Sequence, residues 1–317
     1  MKMKMLQEFE PQLPLQPLVE RLNRIYHAHE ARGYDRMHPE IYAALPATWT
    51  EMLSHLPRRR AWKILDFGCG TGFEASQTIP ALHSSVEYLA CYDPSPEMLG
   101  LCRKRLVGYS QVVFLSDFSE IAAKGPYDLL LTNSLLHHLP SVDSTLAALI
   151  PCLSSDAFWL AGHEPSARFY RNPECCRLLE QYSRQRRWLK YLEPKAYVAK
   201  LRRTMGLDPD PLKATTVSAF KQGLFKKMPS ETLVSRLVDF NVPHGEDEAR
   251  EGRGFDYEGL QALWKDHWSL ELVKTYSFLG FVKEVSASAR WQREAHRLAA
   301  QFPRDGANFC CVWKRIN

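Results

Sequence analysis

The chain has 317 residues, 45% hydrophobic and 24% charged, with a formal charge of +5, so it can bury a full core as one large domain or two modest ones. Its longest apolar runs, such as Tyr127 to Leu131 and Ala157 to Ala161, fall far short of the ~20 residues of a membrane helix, and the Met-Lys-Met-Lys-Met start has no apolar signal stretch. Eight cysteines without any C-x-x-C spacing suit a reduced, cytoplasmic protein with no membrane partner. Basic residues gather in Arg58-Arg59-Arg60 and from Arg184 to Lys190 around Trp188. A nucleic-acid groove can look like this, but a solvated helix face is the plainer reading, so nucleic acid is not the expected partner.

Residues 1–60 read as a helical cap. Leu18, Val19, Leu22 and Ile25 form an apolar stripe at helical spacing, with Gly33 placed to end that helix. A second helical stretch, broken near Pro46, runs toward His55. From Ala61 short apolar runs alternate with helical segments: Trp62 to Phe67, Glu87 to Tyr92, Gln111 to Leu115, Tyr127 to Thr132 and Ala157 to Gly162. That alternation predicts parallel strands buried on both faces, a Rossmann-like doubly wound α/β sheet over residues 61–165. Residues 166–267 read as helix after helix, from the start at Asn172-Pro173-Glu174, with Gly206 a stop, to segments near Thr215 to Gly223, Glu231 to Phe240 and Tyr257 to His267. Strand character returns at Leu270 to Phe278 and Asn308 to Lys314, around a helix from Ser286 to Phe302. The whole predicts one seven-stranded, mostly parallel sheet, with a helical insertion of about 100 residues after the fifth strand serving as a substrate cap. Residues 268–317 then close the sheet.

Residues 64–73 read Ile-Leu-Asp-Phe-Gly-Cys-Gly-Thr-Gly-Phe, a buried strand running into Gly68, Gly70 and Gly72. Glycines there let the backbone turn tightly and approach a ligand. A dinucleotide site would want a further glycine where Phe73 stands, and Asp66 at the strand end would repel phosphate but suit an ammonium group. Asp93 ends the second strand, 21 positions after Gly72, where a carboxylate can accept both ribose hydroxyls. Met98 can pack on a purine, Asp117 after the third strand can accept from its amino group, and Phe118 can wall it. Thr132-Asn133-Ser134-Leu135-Leu136-His137-His138-Leu139-Pro140 follows the fourth strand at the carboxyl edge, where ligands bind in such sheets.

Taken in order, the Asp-x-Gly-x-Gly-x-Gly run, the ribose acid, the Asp after the third strand and the His-His-Leu segment resemble the class I methyltransferases that use S-adenosylmethionine (SAM). The resemblance rests on residues 62–165. It implies SAM as the cofactor, with Asp66, Gly68 and Gly70 along its methionine part, Asp93 on the ribose, Asp117 and Phe118 at the base, and Asn133 beside the sulfonium. N-terminal helices fold over the cofactor in many relatives, which would bring Tyr34 or Tyr42 against it, and an aromatic face suits a sulfonium cation. Asn133-Ser134-Leu135-Leu136 departs from the Asn-Pro-Pro-Tyr-like segment of DNA and protein amino-group methylating families, which sets those aside.

Methyl transfer is an in-line displacement, in which the enzyme holds and aligns the acceptor and supplies a base when the nucleophile arrives protonated. Asn133, His138 and Tyr170 are the candidate catalytic groups, although the His137-His138 pair can equally start a helix and pack locally. Glu164 reads either as part of a charged-substrate site with Tyr170 and Arg171 or as a cap on the next helix. His27 and His29, two apart on a helix, do not share a face, so no metal site is expected. Cys69 is a small residue that fits the turn. Methylation of a small molecule in specialised metabolism leads. The alternative is ring closure of SAM to azetidine-2-carboxylic acid with release of methylthioadenosine, steered by Asn133 and Tyr170. RNA modification or nonenzymatic binding of SAM is a third reading, supported only by the basic helix around Trp188.

Overall fold

The structure is a computed structural model describing residues 6–190, 210–243, 254–280 and 287–316, with only the backbone described at 32, 40 and 188–190. Its strands are β1 (Trp62–Phe67), β2 (Val86–Tyr92), β3 (Val112–Leu115), β4 (Tyr127–Asn133), β5 (Leu153–Pro165), β6 (Trp268–Tyr276) and β7 (Asn308–Arg315). They form one seven-stranded sheet in the order β3-β2-β1-β4-β5-β7-β6. The β1–β5 pairs are parallel, while β7 inserts antiparallel between β5 and β6. The order reverses between β1 and β4, and a crevice opens at such a switch point outside the carboxyl ends of the strands.

Strand residues alternate faces, and both faces are apolar. Ile64, Leu89, Leu129, Leu131 and Leu160 pack under α2 (Pro39–Ser54), α3 (Phe73–Leu82) and α4 (Pro96–Arg105). Leu65, Ala90, Leu130 and Trp159 pack on the other side with Ile121 of α5 (Ser119–Lys124) and Leu146 of α6 (Val142–Leu149). Pro46 does not break α2, which runs through it. Leu45, Trp49, Met52 and Leu53 bury that helix against the sheet and outweigh the one missing backbone donor. Gly33 is not a left-handed stop either: its φ is −133°, and α1 (Leu15–Glu30) ends in a 3₁₀ turn over Ala31–Gly33.

Between β5 and β6 come α7 (Ala167–Arg171), α8 (Pro173–Lys190), α9 (Pro211–Lys221), α10 (Glu231–Val238) and α11 (Tyr257–Trp264). They part into separate cores. Phe169, Tyr170, Leu178 and Tyr182 pack with Trp291 and Leu298 of α12 (Ala289–Gln301). Ala219, Leu233, Val234 and Leu237 from α9 and α10 pack instead on Leu18, Val19, Leu22 and Ile25 of α1. Trp264 of α11 joins the sheet core. The stop read at Gly206, the loop from His244 to Glu248 and the Trp188 side chain lie outside the described residues. Among those described, no helix is long and apolar enough to cross a membrane.

Trp159 anchors the far side of the sheet. It is fully buried, stacks on Trp313 with centroids 5.9 Å apart, and donates through Nε1 to Thr132 Oγ1 at 2.9 Å. Trp159→Ala is expected to lower stability by about 3–5 kcal/mol, from lost burial plus the cavity left behind, in urea unfolding followed by circular dichroism.

Candidate active site

β1 ends in a turn that the chain cannot make with ordinary residues. Gly68 and Gly70 have φ of +77° and +50°. A Cβ on Gly68 would sit 2.7 Å from Leu135 Cδ1, whereas one on Gly70 would meet nothing within 4 Å, so the Gly70 peptide faces open space. The N–H groups of Gly68 and Cys69 donate to the Tyr92 carbonyl at 2.8 and 2.9 Å, tying the turn to the end of β2. Asp93 completes the join. Its Oδ2 accepts from Gly70 N at 3.0 Å, and its Oδ1 accepts from Ser95 N at 2.8 Å. Ser95 in turn caps α4, its Oγ accepting from Met98 N at 3.3 Å. Burial raises the Asp93 pKa against these donors and nearby His27.

Above this edge lies a cavity of about 590 Å³, within the range of small-molecule sites. Tyr34, Gly68, Gly70, Asp93, Met98, Phe118, Asn133 and His138 all line it, so the structure gathers eight of the residues singled out in the sequence. One end has an aromatic wall. Phe67 stacks on Tyr92 (5.0 Å, 12°), and Phe118 meets both edge-on at 6.0 and 6.1 Å. At the other end the Asn133 Oδ1 is buried without a hydrogen-bond partner. The neighbouring strand makes room for it with Gly162, where a Cβ would come within 2.7 Å of that oxygen.

Three expected site residues lie elsewhere. Asp66 sits beneath the cavity, 1% exposed, with no partner for either carboxylate oxygen. Burial, with the Glu74 carboxylate beside it, lifts its pKa well above the usual range, and Glu74 itself is pushed by burial up to about 8. Asp117 is exposed and turned back on its own loop, where Oδ1 accepts from Ser119 N and Ser119 Oγ, both at 2.8 Å. Such an Asx turn satisfies the loop backbone and takes the carboxylate away from the cavity. Tyr170 is held in the α7–α8–α12 core, where burial pushes its phenol up to about 12. Arg171, weighed with it, pairs with Asp256 at 2.9 Å. Tyr42 does not line the cavity and joins Asp35, Thr71 and Arg105.

Glu164 has a different partner from the one read in the sequence. Fully buried, it accepts from the N–H groups of Leu135, Leu136 and His137 at 2.9, 2.8 and 3.2 Å and lies 2.9 Å from His137 Nδ1. It therefore caps the 3₁₀ turn Leu136–His138 after β4 rather than the helix that follows β5. His138 Nδ1 is 2.8 Å from the Val238 carbonyl of α10, which fixes the proton on that nitrogen and leaves Nε2 as the acceptor. Burial, with His137 and His27 beside it, holds its pKa well below the usual imidazole value, so it stays neutral.

The roof comes from α1, which the sequence reading treated only as a covering helix. Gln16, Glu20, Asn23, Arg24 and His27 line the cavity. Their signal was present: these polar positions recur at helical spacing, opposite the stripe of Leu18, Val19, Leu22 and Ile25. His27 meets His138 edge-on at 5.0 Å, while His29 Nε2 pairs with Ser218 Oγ at 2.9 Å on another side. Glu30, 3% exposed, lies 2.8 Å from His38 Nε2 and 3.3 Å from His27 Nδ1 and accepts from Tyr26 Oη at 3.1 Å. Burial works against its charge, but His27 and His38 hold its pKa down to about 2. Among the described residues, Cys69, Cys91 and Cys102, and separately His137, His138 and Asp239, stand close enough to share a metal ion. In the second group both imidazole Nδ1 atoms already face Glu164 or Val238.

Residues 65–158 match the family of methyltransferase domains. No curated protein sequence matches the chain. Among solved structures, the chain is similar to the plantazolicin methyltransferase BpumL in complex with a pentazolic desmethylPZN analog and SAH, at 13% identity over 95% of this chain and 99% of that one, with a TM-score of 0.45. It is also similar to the N-methyltransferase NodS from Bradyrhizobium japonicum WM9 in complex with S-adenosyl-L-homocysteine (10% identity, 86% of each chain, TM-score 0.40). A third is DhpI with SAH (16% identity, 45% of this chain and 69% of that one, TM-score 0.37). The core of this protein is a Rossmann-like sheet, and the part of it within residues 65–158 is similar to methyltransferase domains. The matched residues carry the glycine turn, Asp93, Met98, Phe118 and Asn133 of the cavity.

His163, 2% exposed at the end of β5, gives the fold a pH signature. Burial, with His137 and His38 nearby, pushes its pKa down to about 3. The folded state therefore keeps it neutral where an unfolded chain takes up a proton near pH ~6.5. Its contribution to stability is full above that pH and is lost as pH falls toward 3, at up to about 1.4 kcal/mol per pH unit for each proton. Urea midpoints should fall between pH 6.5 and 5, above the carboxylate range, and fall less steeply in His163→Gln.

Proposed function

We propose that the protein methylates a small molecule held between the strand ends and α1, as an enzyme of specialised metabolism in the cytoplasm. The observation that carries this reading is the single cavity joining the glycine turn, Asp93, the aromatic wall and Asn133 beneath a helical roof. SAM fits these residues. The open Gly70 peptide leaves room for its methionine part, Asp93 stands where ribose hydroxyls would donate, and Met98 and Phe118 flank the base. The buried Asn133 Oδ1 lacks the donor that an ammonium or amine would bring. The eight cysteines form no disulfide among the described residues, which supports the cytoplasmic part.

When bound, SAM supplies a methyl group on a sulfonium, whose C–S electron pair stays on sulfur as the methyl leaves. The chain's own groups align and deprotonate. Asn133 orients the reacting end through its amide. The neutral His138 offers Nε2 to a proton on the acceptor, its ring held by the Val238 carbonyl and the edge of His27. Tyr34 walls the glycine turn from the roof side, where burial keeps its phenol protonated. Tyr170, one of the two groups invoked for ring closure of SAM, sits in another core, and this favours methyl transfer.

Two measurements test the reading. Titration calorimetry should show SAH binding that weakens roughly 10- to 100-fold in Asp93→Ala, the loss of hydrogen bonds to a charged group. With methyl-labelled SAM and a cell extract, label should pass to a small product while SAH accumulates. Methylthioadenosine formed from SAM alone would overturn methyl transfer, and label confined to RNA or protein would overturn the small acceptor.

A further inference from the structure

A purine amino group must find an acceptor when it is buried, and the residue expected to supply one does not. Both Asp117 contacts go to Ser119, and the side chain lies outside the cavity. The acceptor has to come from another wall.

The polar face of α1 is that wall, and its order along the cavity can be read from its neighbours. Glu20 and Arg24 line the cavity together with Tyr92, which belongs to the aromatic wall. Further along, His27 lines it with Asp93 and meets His138 edge-on at 5.0 Å, toward the ribose end. Asn23 falls between them, three residues from Glu20 and four from His27, about 4.5 and 6 Å along the axis. Its amide is already oriented, because Nδ2 donates to the Val19 carbonyl at 3.1 Å and only the NH₂ end can do so. That leaves Oδ1, an acceptor, in a residue that lines the cavity; the atom is buried and has no hydrogen-bond partner. A buried acceptor left unmet costs free energy, and a ligand donor at that point would recover it.

We propose that Asn23 Oδ1 accepts a hydrogen bond from the exocyclic amino group of the cofactor's adenine, taking the part that the sequence pattern assigned to Asp117. The inference rests on SAM being the ligand of this cavity. The helix that covers the site thereby reads the base, and the cofactor's identity is checked by a roof whose other face is packed against α9 and α10. Glu20 and Arg24, flanking Asn23 on the same face, are placed to hold that end of α1 over the aromatic wall.

The test compares SAH with S-inosylhomocysteine, in which the amino donor is replaced by a carbonyl acceptor. Titration calorimetry on the intact protein should give at least roughly tenfold tighter binding of SAH, because the carbonyl meets the Asn23 oxygen without a hydrogen between them. Asn23→Leu should bring the two ligands to within about threefold of each other, chiefly by weakening SAH. Asn23→Asp keeps an acceptor and should keep most of the preference, and Asp117→Ala should keep all of it. Melting curves check that each variant is folded, and the wild-type comparison needs no variant. Equal binding of the two ligands to the wild type would overturn the proposal. So would an unchanged ratio in Asn23→Leu, or a ratio that collapses in Asp117→Ala. Failure of SAH to bind at all would instead remove the SAM reading beneath it.

Discussion

Where a parallel strand gives way to a turn, backbone N–H groups lose their ladder partners, and at the edge that forms this site two buried carboxylates take them up. Asp93 accepts from Gly70 and Ser95, joining the glycine turn to the loop after β2. Glu164 accepts from Leu135, Leu136 and His137, joining the turn after β4 to the end of β5. Each acid spans two strands, so the floor of the cavity is one connected piece instead of four independent loops. The positive φ at Gly68 and Gly70, the Leu135 side chain seated on Gly68 and the room at Gly162 for Asn133 follow from that geometry.

The same carboxylates organise the charge. Glu30 in the cap and Glu164 at the sheet edge stand at the two ends of a series of imidazoles, with His27 edge-on to His138 and His138 4.1 Å from His137. An imidazole beside a carboxylate can carry a proton; one between other imidazoles resists it. His138 occupies the middle position and stays neutral for that reason as well as for its burial. A neutral acceptor at the cavity wall is compatible with a cationic cofactor, which a second cation at the same place would repel.

The roof and the insertion serve one purpose through one helix. The apolar stripe of α1 closes a core with α9 and α10, and its polar face lines the cavity. Packing on one side thus sets the position of donors and acceptors on the other. Val238 of α10 reaches His138 directly, so the insertion also helps to set the tautomer of that ring.

Local chemistry made much of this legible in the sequence. Apolar runs of strand length with helical segments between them specify a parallel sheet, and all seven strands lie where those runs do. The glycine run, Asp93, Met98, Phe118 and Asn133 come to line one cavity because they stand at or soon after strand ends, which converge at one edge. The misses have a common cause. For Asp117, Tyr170 and Glu164, position after a strand does not say whether the side chain faces the cavity or finds a partner within the fold. Asp117 turned to its own loop, Tyr170 entered a core made with a distant helix, and Glu164 reached back across β4. Pro46 likewise was overruled by burial from the sheet below it. What the sequence by itself determined was the fold, because periodicity and turn chemistry are local. Which groups face the cavity, and that α1 supplies several of them, was decided only when long-range packing placed the cap over the strand ends.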